Sequence, residues 1–192
     1  VQNTLGVNGV HAVPPEIVAG QIKAVMDDIR PRAVKVGMVN DIDTINAIAD
    51  TLAEYDVENL VVDPVMVATS GARLMQDDAV DVFTKKLLPM ASLLTPNVPE
   101  AEVLAGIPIN DKESMEKAAH IIHSKDCKAL LIKGGHIEGR KIDRLYCEDE
   151  LICELEAANV ETRNTHGTGC TLSSAITSYL AMGYAIGEAI AA

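Results

Sequence analysis

The pentapeptide HGTGC at residues 166–170 joins two glycines to a thiol at the point where a helical pattern begins. Glycines at 167 and 169 allow successive backbone N–H groups to face one point at a helix N-terminus, which is an arrangement that binds anions. Cys170 lies in the first turn of that helix, where the dipole favours negative charge, so it is expected to serve as a proton acceptor. A lone cysteine is more often an inert structural residue, but the adjacent anion site favours a reactive thiol.

Two other functions of the same segment, a zinc site and a nucleophilic Cys–His pair, have less support. His166 and Cys170 are four residues apart, but the intervening glycines break the helical geometry, and no second Cys or His pair completes a tetrahedral zinc site. A Cys–His nucleophile pair lacks an accompanying oxyanion or acyl-transfer motif. The segment is therefore interpreted as a phosphate-binding turn with a proton acceptor.

Polar residues also follow three apolar runs. Asn97 and Glu100 in LLTPNVPEAE either bind one hydrated magnesium ion or form a helix N-cap with its capping box. Asp63 in VVDPVM holds magnesium or charged substrate groups, or simply forms a turn. Lys133 in LLIKGG either contacts a phosphate or is a solvated residue at a strand end. Together these residues supply what phosphoryl transfer requires: an anion cradle, a metal site, a cation and a proton acceptor.

The elements that must position these residues alternate along the chain. Continuous apolar runs are typical of parallel strands covered on both faces, and they predict strands at 32–38, 59–66, 91–97 and 128–135. Amphipathic periodicity predicts helices between and after them, at 14–29, 41–55, 77–88, 111–125 and 167–183. Asn40 or Asp41 is expected to cap the second helix.

A different pattern lies between residues 143 and 164. Residues 143–157 predict two strands around an acidic turn, and residues 159–164 a further extended segment. The whole alternation predicts a three-layer α/β/α fold around a mostly parallel sheet. Ligands of such sheets bind outside the carboxyl ends of the strands, which is where the polar residues lie.

Composition limits the class of protein. A chain of 192 residues with 48% hydrophobic and 23% charged residues is expected to form one globular domain, residues 1–192. A formal net charge of −12 disfavours nucleic acid as a partner. No segment has the features of a signal peptide or a membrane span, and the four scattered cysteines favour a reducing cytoplasm. The chain starts without Met and stops inside a helical pattern, so we expect segments to be missing at both ends.

The motifs, taken in order, resemble one known family. Six segments are similar to segments of the hydroxymethylpyrimidine/phosphomethylpyrimidine kinases of thiamine biosynthesis: QNTLGVNGVHAVPPE, VKVGM, VDPVMVATSG, LLTPNVPEAE, LIKGGH and THGTGCTLSSAI. That resemblance implies a ribokinase-like fold and ATP-dependent phosphorylation of 4-amino-5-hydroxymethyl-2-methylpyrimidine, first to the monophosphate and then to the diphosphate. It also implies Mg²⁺ as cofactor and a homodimer.

The resemblance assigns roles to individual residues. The pyrimidine-binding positions are Gln2, Met38 and Val65. The positions that contact ATP are Asp63, Asn97, Glu100, Lys133 and His166, with Asp63 and Glu100 as the magnesium carboxylates. The catalytic positions are Lys133, the anion hole of Gly167, Thr168 and Gly169, and Cys170, which stands where most sugar kinases of this fold carry an aspartate base.

One departure and two alternatives accompany this resemblance. Family members carry an N-terminal G-x-D-x-S-G-G-A-G segment, and this sequence begins after it. A pyridoxine/pyridoxal kinase of the same fold is the first alternative. The second is a non-catalytic pyrimidine-binding sensor, although a sensor has no need of Cys170 and Lys133. A dinucleotide-binding oxidoreductase is disfavoured because no GxGxxG motif follows a strand.

Overall fold

The computed structural model describes residues 1–3, 6–9, 11–66, 74–134, 136–137, 140–156 and 167–192. The strands are β1 (Gln2–Asn3), β2 (Gly6–Val7), β3 (Val34–Val36), β4 (Leu60–Val62), β5 (Leu93–Leu94), β6 (Ala129–Ile132), β7 (His136–Ile137), β8 (Arg140–Cys147) and β9 (Glu150–Glu156). The helices are α1 (Pro15–Asp28), α2 (Ile42–Leu52), α3 (Asp77–Lys86), α4 (Val98–Ala105), α5 (Lys112–His123), α6 (Thr168–Ala181) and α7 (Ile186–Ala191). The predicted extended segment at 159–164 and His166 lie outside the described residues.

The main sheet has a parallel centre and an antiparallel extension. Strands β3, β4, β5 and β6 are adjacent and parallel, with Val62 opposite both Val36 and Leu94. Strand β8 pairs antiparallel with β6, and both β7 and β9 pair antiparallel with β8. The carboxyl ends of the four parallel strands therefore meet at one edge, as the sequence predicted.

Both faces of the sheet are covered by helices. Val62, Leu94 and Leu130 are fully buried on the face that packs against α2, α3, α4 and α5. Their neighbours Val61, Leu93 and Leu131 point to the opposite face, which packs against α6 and α7. Since alternate residues of each strand are buried on opposite faces, the strands read as continuous apolar runs. The predicted three-layer α/β/α fold is confirmed.

The parallel strands end earlier than their apolar runs do. The run at 59–66 forms a ladder only over Leu60–Val62, and the run at 91–97 only over Leu93–Leu94. Pro64 and Pro96 follow these ladders, and proline has no N–H with which to extend them. The residues just before each proline, Asp63 and Thr95, are consequently placed at the edge of the sheet.

Capping residues fix where two of the helices begin. Asp41 accepts a hydrogen bond from the Thr44 backbone N–H at 2.8 Å and caps α2, as predicted for Asn40 or Asp41. Asn97 caps α4 and accepts from the Glu100 backbone N–H at 2.9 Å. Because α4 starts directly after the end of β5, Asn97 and Glu100 are held at the same sheet edge as Asp63.

Gly134 allows the chain to leave β6 beside β8. A Cβ atom at this position would collide with the backbone of Ile142, above all with its carbonyl oxygen. The Gly134 N–H instead donates to the Asp143 carboxylate at 2.6 Å. Glycine is therefore required directly after Lys133, and this close approach fixes the backbone from which the lysine side chain extends.

Within the described parts of the chain, every helix is too short or too polar to cross a bilayer.

Candidate active site

Three strand ends and one helix start converge at the carboxyl edge of the sheet. Asp63 follows β4, and its N–H donates to the Val36 carbonyl at 2.9 Å. Thr95 follows β5, and its N–H donates to the Val62 carbonyl at 3.0 Å. Lys133 follows β6, and its N–H donates to the Pro96 carbonyl at 2.8 Å. These backbone hydrogen bonds continue the parallel pairing past the ladders and hold the polar residues in register.

The Lys133 side chain is paired with Asp63. Its Nζ lies 2.9 Å from Asp63 Oδ1, and the two side chains are only 17% and 2% exposed. The Thr95 hydroxyl donates to the same oxygen at 3.2 Å, and the Ser173 hydroxyl lies 3.2 Å from Oδ2. A buried carboxylate needs such donors, because an unpaired buried charge is strongly destabilising. The ammonium group of Lys133 is consequently held at one place.

The glycine turn lies directly against this ammonium. Gly167 has φ of 82°, a left-handed conformation that favours glycine, and it forms the N-cap of α6. A Cβ atom on Gly169 would lie 3.0 Å from Lys133 Nζ and 3.9 Å from Asp63 Oδ2. The positive end of the α6 dipole and the lysine therefore meet at one point, which is suited to bind a phosphate group.

Cys170 directly follows Gly169 in the first turn of α6. It is the third residue of α6 and its side chain is exposed, so the thiol is not sealed in apolar packing. Cys127, by contrast, is buried, and burial raises the pKa of its thiol to about 12. Accessibility and position beside the anion turn distinguish Cys170 as the thiol available to a bound substrate.

Asn97 and Glu100 form a reciprocal capping box. The Asn97 side chain accepts from the Glu100 N–H, and Glu100 Oε2 accepts from the Asn97 N–H at 2.8 Å. The capping interpretation of this pair is thus confirmed. Glu100 is also only 4% exposed. Burial raises its pKa, and the hydrogen bond from Asn97 and the nearby charge of Lys133 offset part of that rise.

The carboxylate oxygens at this edge can be compared with the ligands that magnesium usually has in proteins. Protein-bound Mg²⁺ usually keeps several waters and is held by one or two carboxylates plus substrate phosphates. Glu100 is a buried carboxylate at this edge and fits that role. Both oxygens of Asp63 already have protein donors, and the described residues contain no cluster of three or more His, Cys, Asp or Glu suited to a metal. The magnesium assignments of Asp63 and Glu100 stay predictions.

Glu100→Gln is expected to raise stability at alkaline pH. The folded-state pKa of Glu100 is raised above 4.5, so the folded protein binds more protons than the unfolded chain between the two pKa values. The free energy of unfolding therefore falls as pH rises through that range, and the cost persists above it. Glutamine removes the buried charge and keeps an acceptor for the Asn97 N–H.

Denaturant unfolding at pH 8 and near pH 4.5 measures this effect. The glutamine variant should be more stable than the wild type at pH 8, and the gain should shrink toward pH 4.5. A variant that is less stable than the wild type at pH 8 would contradict the desolvation argument.

The predicted ring-binding residues lie at the same edge. Met38 comes two residues after β3 and is 52% exposed, and Val65 comes two residues after Asp63 and is half-buried. They follow adjacent strands, because Val36 and Val62 are directly paired. The backbone of Gln2 belongs to β1, which pairs with β2. The binding roles of these residues stay predictions, as does the role of His166.

Thr95 and Ser173 are site residues that the sequence analysis missed. Thr95 follows β5 as Asp63 follows β4, so the rule that placed Asp63 at a strand end also applies to Thr95. Ser173 is four residues after Gly169, which places it one helical turn behind the anion turn. Its contact with Asp63 spans 110 residues of sequence, and no local pattern predicts it.

The reaction that suits this geometry is transfer of a phosphoryl group to a small acceptor. A moving phosphoryl group needs fixed donors and positive charge around it, and the start of α6 and Lys133 provide both at the ligand-binding edge of the sheet. The fold and the site thus define the class of ribokinase-like small-molecule kinases.

Comparison with known proteins narrows the class. The chain belongs to the phosphomethylpyrimidine kinase family, which matches residues 1–192. It is 48% identical over 99% of its length to a bifunctional thiamine biosynthesis protein of Geobacter sulfurreducens, and spans 39% of that protein. It is 45% identical over its whole length to the hydroxymethylpyrimidine/phosphomethylpyrimidine kinase of Rhizobium meliloti, of which it spans 72%.

Solved structures of related kinases share the fold. A phosphomethylpyrimidine kinase from Clostridium difficile is 42% identical, with a TM-score of 0.86 over 99% of this chain and 78% of that one. The Bacillus subtilis pyridoxal kinase, solved as an ADP complex, is 32% identical, with a TM-score of 0.89 over 99% of this chain and 72% of that one. The ribokinase-like fold and the kinase class are thereby confirmed.

Proposed function

We propose that this protein phosphorylates 4-amino-5-hydroxymethyl-2-methylpyrimidine and then its monophosphate, with ATP as the phosphoryl donor. The names of the relatives support this choice of substrate. The observation that carries the chemistry is the Lys133 ammonium held by Asp63 directly against Gly169, with the accessible thiol of Cys170 one residue further along α6.

The residues of this site have different roles in the first phosphoryl transfer. The substrate hydroxyl oxygen forms a bond to the γ-phosphorus of ATP, the bond from that phosphorus to the bridging oxygen of ADP breaks, and the hydroxyl proton passes to the Cys170 sulfur. The backbone N–H groups at the start of α6 and the Lys133 ammonium stabilise the charge on the phosphoryl oxygens. A magnesium ion would neutralise further phosphate charge, and Glu100 is the carboxylate that we propose would hold it.

We also place the protein in the cytoplasm and expect a homodimer. The four cysteines are free thiols, which supports a reducing compartment. Small-molecule substrate and ATP are its expected partners. Dimer formation follows only from the resemblance, and analytical ultracentrifugation of the purified protein measures it.

Turnover by the purified protein tests the proposed function. The protein is incubated with ATP, Mg²⁺ and the hydroxymethylpyrimidine, and the products are followed by ³¹P NMR. We expect a monophosphate to appear first and a diphosphate to follow. Binding of the pyrimidine without either product would favour a non-catalytic sensor instead.

Pyridoxal kinase activity is the second candidate function. The close structural match to the Bacillus subtilis pyridoxal kinase favours it, because that enzyme shares this fold across nearly the whole chain. The same assay with pyridoxal in place of the pyrimidine separates the two. Turnover of pyridoxal with none of the pyrimidine would replace the proposed substrate.

A further inference from the structure

We propose that Ser173 is a positioning residue, which holds the Asp63 carboxylate so that Asp63 in turn fixes Lys133 against the anion turn. This inference rests on the proposed kinase function and adds a role for a residue outside the predicted site. It also makes Asp63 an anchor for the lysine.

Ser173 connects the anion turn to the strand edge. It is fully buried on α6, and its Oγ lies 3.2 Å from Asp63 Oδ2. The same Oγ lies 3.0 Å from the Gly169 carbonyl and 3.2 Å from the Cys170 carbonyl, both one turn earlier. The single hydroxyl proton is shared among these acceptors. One side chain thus contacts the carboxylate and the backbone of the two residues nearest the anion site.

Asp63 is held from both of its oxygens. Lys133 and Thr95 donate to Oδ1, whereas Ser173 is the donor that the described residues place at Oδ2. Without that donor, one oxygen of a carboxylate that is 2% exposed loses its hydrogen bond, and the group is free to rotate about its terminal bond. The Lys133 ammonium would then lose the fixed partner that holds it beside Gly169.

The network gives the Asp63 carboxylate a role that requires no metal ion. Three donors already surround its carboxylate, and both of its oxygens are hydrogen-bonded without a metal. The Glu100 carboxylate is likewise hydrogen-bonded, by the Asn97 N–H within its capping box and by the Met66 backbone. The contacts of Asp63 and Ser173 are therefore accounted for by the positioning of Lys133 alone.

Binding of the non-hydrolysable nucleotide AMP-PCP, with and without Mg²⁺, tests this assignment. Isothermal titration calorimetry is performed on Ser173→Ala in EDTA and again in excess Mg²⁺. We expect about tenfold weaker binding in both conditions. The hydrogen bond from Ser173 to the charged Asp63 is lost, so Lys133 is held less firmly for the nucleotide phosphates. Thr95→Val removes the other hydroxyl donor with little change of shape and should weaken binding in the same way.

Ser178→Ala is the matched control. Ser178 lies on the same helix, is exposed, and donates to the carbonyl one turn back at 2.9 Å, but it does not contact the site. This variant should bind AMP-PCP like the wild type. Steady-state kinetics should show a lower kcat for Ser173→Ala but not for Ser178→Ala, and circular dichroism checks that each variant is folded.

Two outcomes would overturn the proposal. In the first, Ser173→Ala is folded and binds AMP-PCP as tightly as Ser178→Ala, which would make the hydroxyl purely structural. In the second, the weakening appears only with Mg²⁺, which would return Asp63 to the metal. Failure of the wild type to phosphorylate the pyrimidine would remove the proposed substrate but leave this nucleotide comparison intact.

Discussion

Cys170→Ala is expected to lower kcat by about 10²–10⁴-fold, the contribution typical of a general base. The exposed thiol stands at the start of α6, beside the residues that we propose bind the phosphate. Removing it takes away the acceptor for the hydroxyl proton but disturbs no buried contact. The KM for ATP should therefore change little. Steady-state kinetics with the pyrimidine and ATP measure both parameters.

Cys153→Ala provides a matched thiol control. Cys153 lies on β9 in the antiparallel extension, away from the carboxyl edge of the parallel strands. Its variant should keep the kcat of the wild type. A Cys170→Ala enzyme with normal turnover would show that the proton leaves by another route, and the assignment of the base would be withdrawn.

Lys133→Met is expected to reduce kcat/KM by about 10²–10³-fold, as loss of one preorganised donor does in other enzymes. Methionine keeps an unbranched apolar side chain that is one atom shorter, but it cannot carry the charge. The same change leaves Asp63 buried without its cation, so the free energy of unfolding should also fall, by about 3 kcal/mol. Steady-state kinetics and chemical denaturation measure the two losses.

The double variant Lys133→Met with Asp63→Asn separates catalysis from stability. Asparagine removes the buried charge and can still accept from Thr95, so most of the lost free energy of unfolding should return. Activity should remain as low as in Lys133→Met. If the double variant recovered both, Lys133 would serve only to neutralise Asp63, and phosphate binding would fall to the helix start alone.

The parallel centre of the fold is readable from the sequence because burial on both faces leaves an unmistakable pattern. The runs around Val62, Leu94 and Leu130 are apolar without interruption, and each is followed by a polar residue or proline that ends the ladder. Helix starts are equally local, since Asp41 and Asn97 cap through residues three positions away. The features that depend on residues close in sequence, namely the buried strands and the helix caps, were predicted.

Contacts between distant elements were not predicted. The sequence indicated two strands around an acidic turn near residue 148, but not that β8 would pair antiparallel with β6. It placed Asp63 and Lys133 at strand ends, but their ion pair crosses the intervening strand β5 and depends on sheet order. The contact between Ser173 and Asp63 depends on how α6 packs on the sheet, which no local periodicity encodes.

The pairing of Lys133 with Asp63 has a consequence for how nucleotide reaches the protein. The carboxylate cancels the lysine charge at any distance beyond a few ångströms, while the chain as a whole carries a formal charge of −12. A polyanion such as ATP is then repelled on approach and attracted only at short range. Dissolved salt screens charges beyond about 10 Å at 0.1 M, so moderate ionic strength should hasten the encounter. The buried ion pair of Lys133 and Asp63 should itself depend little on ionic strength.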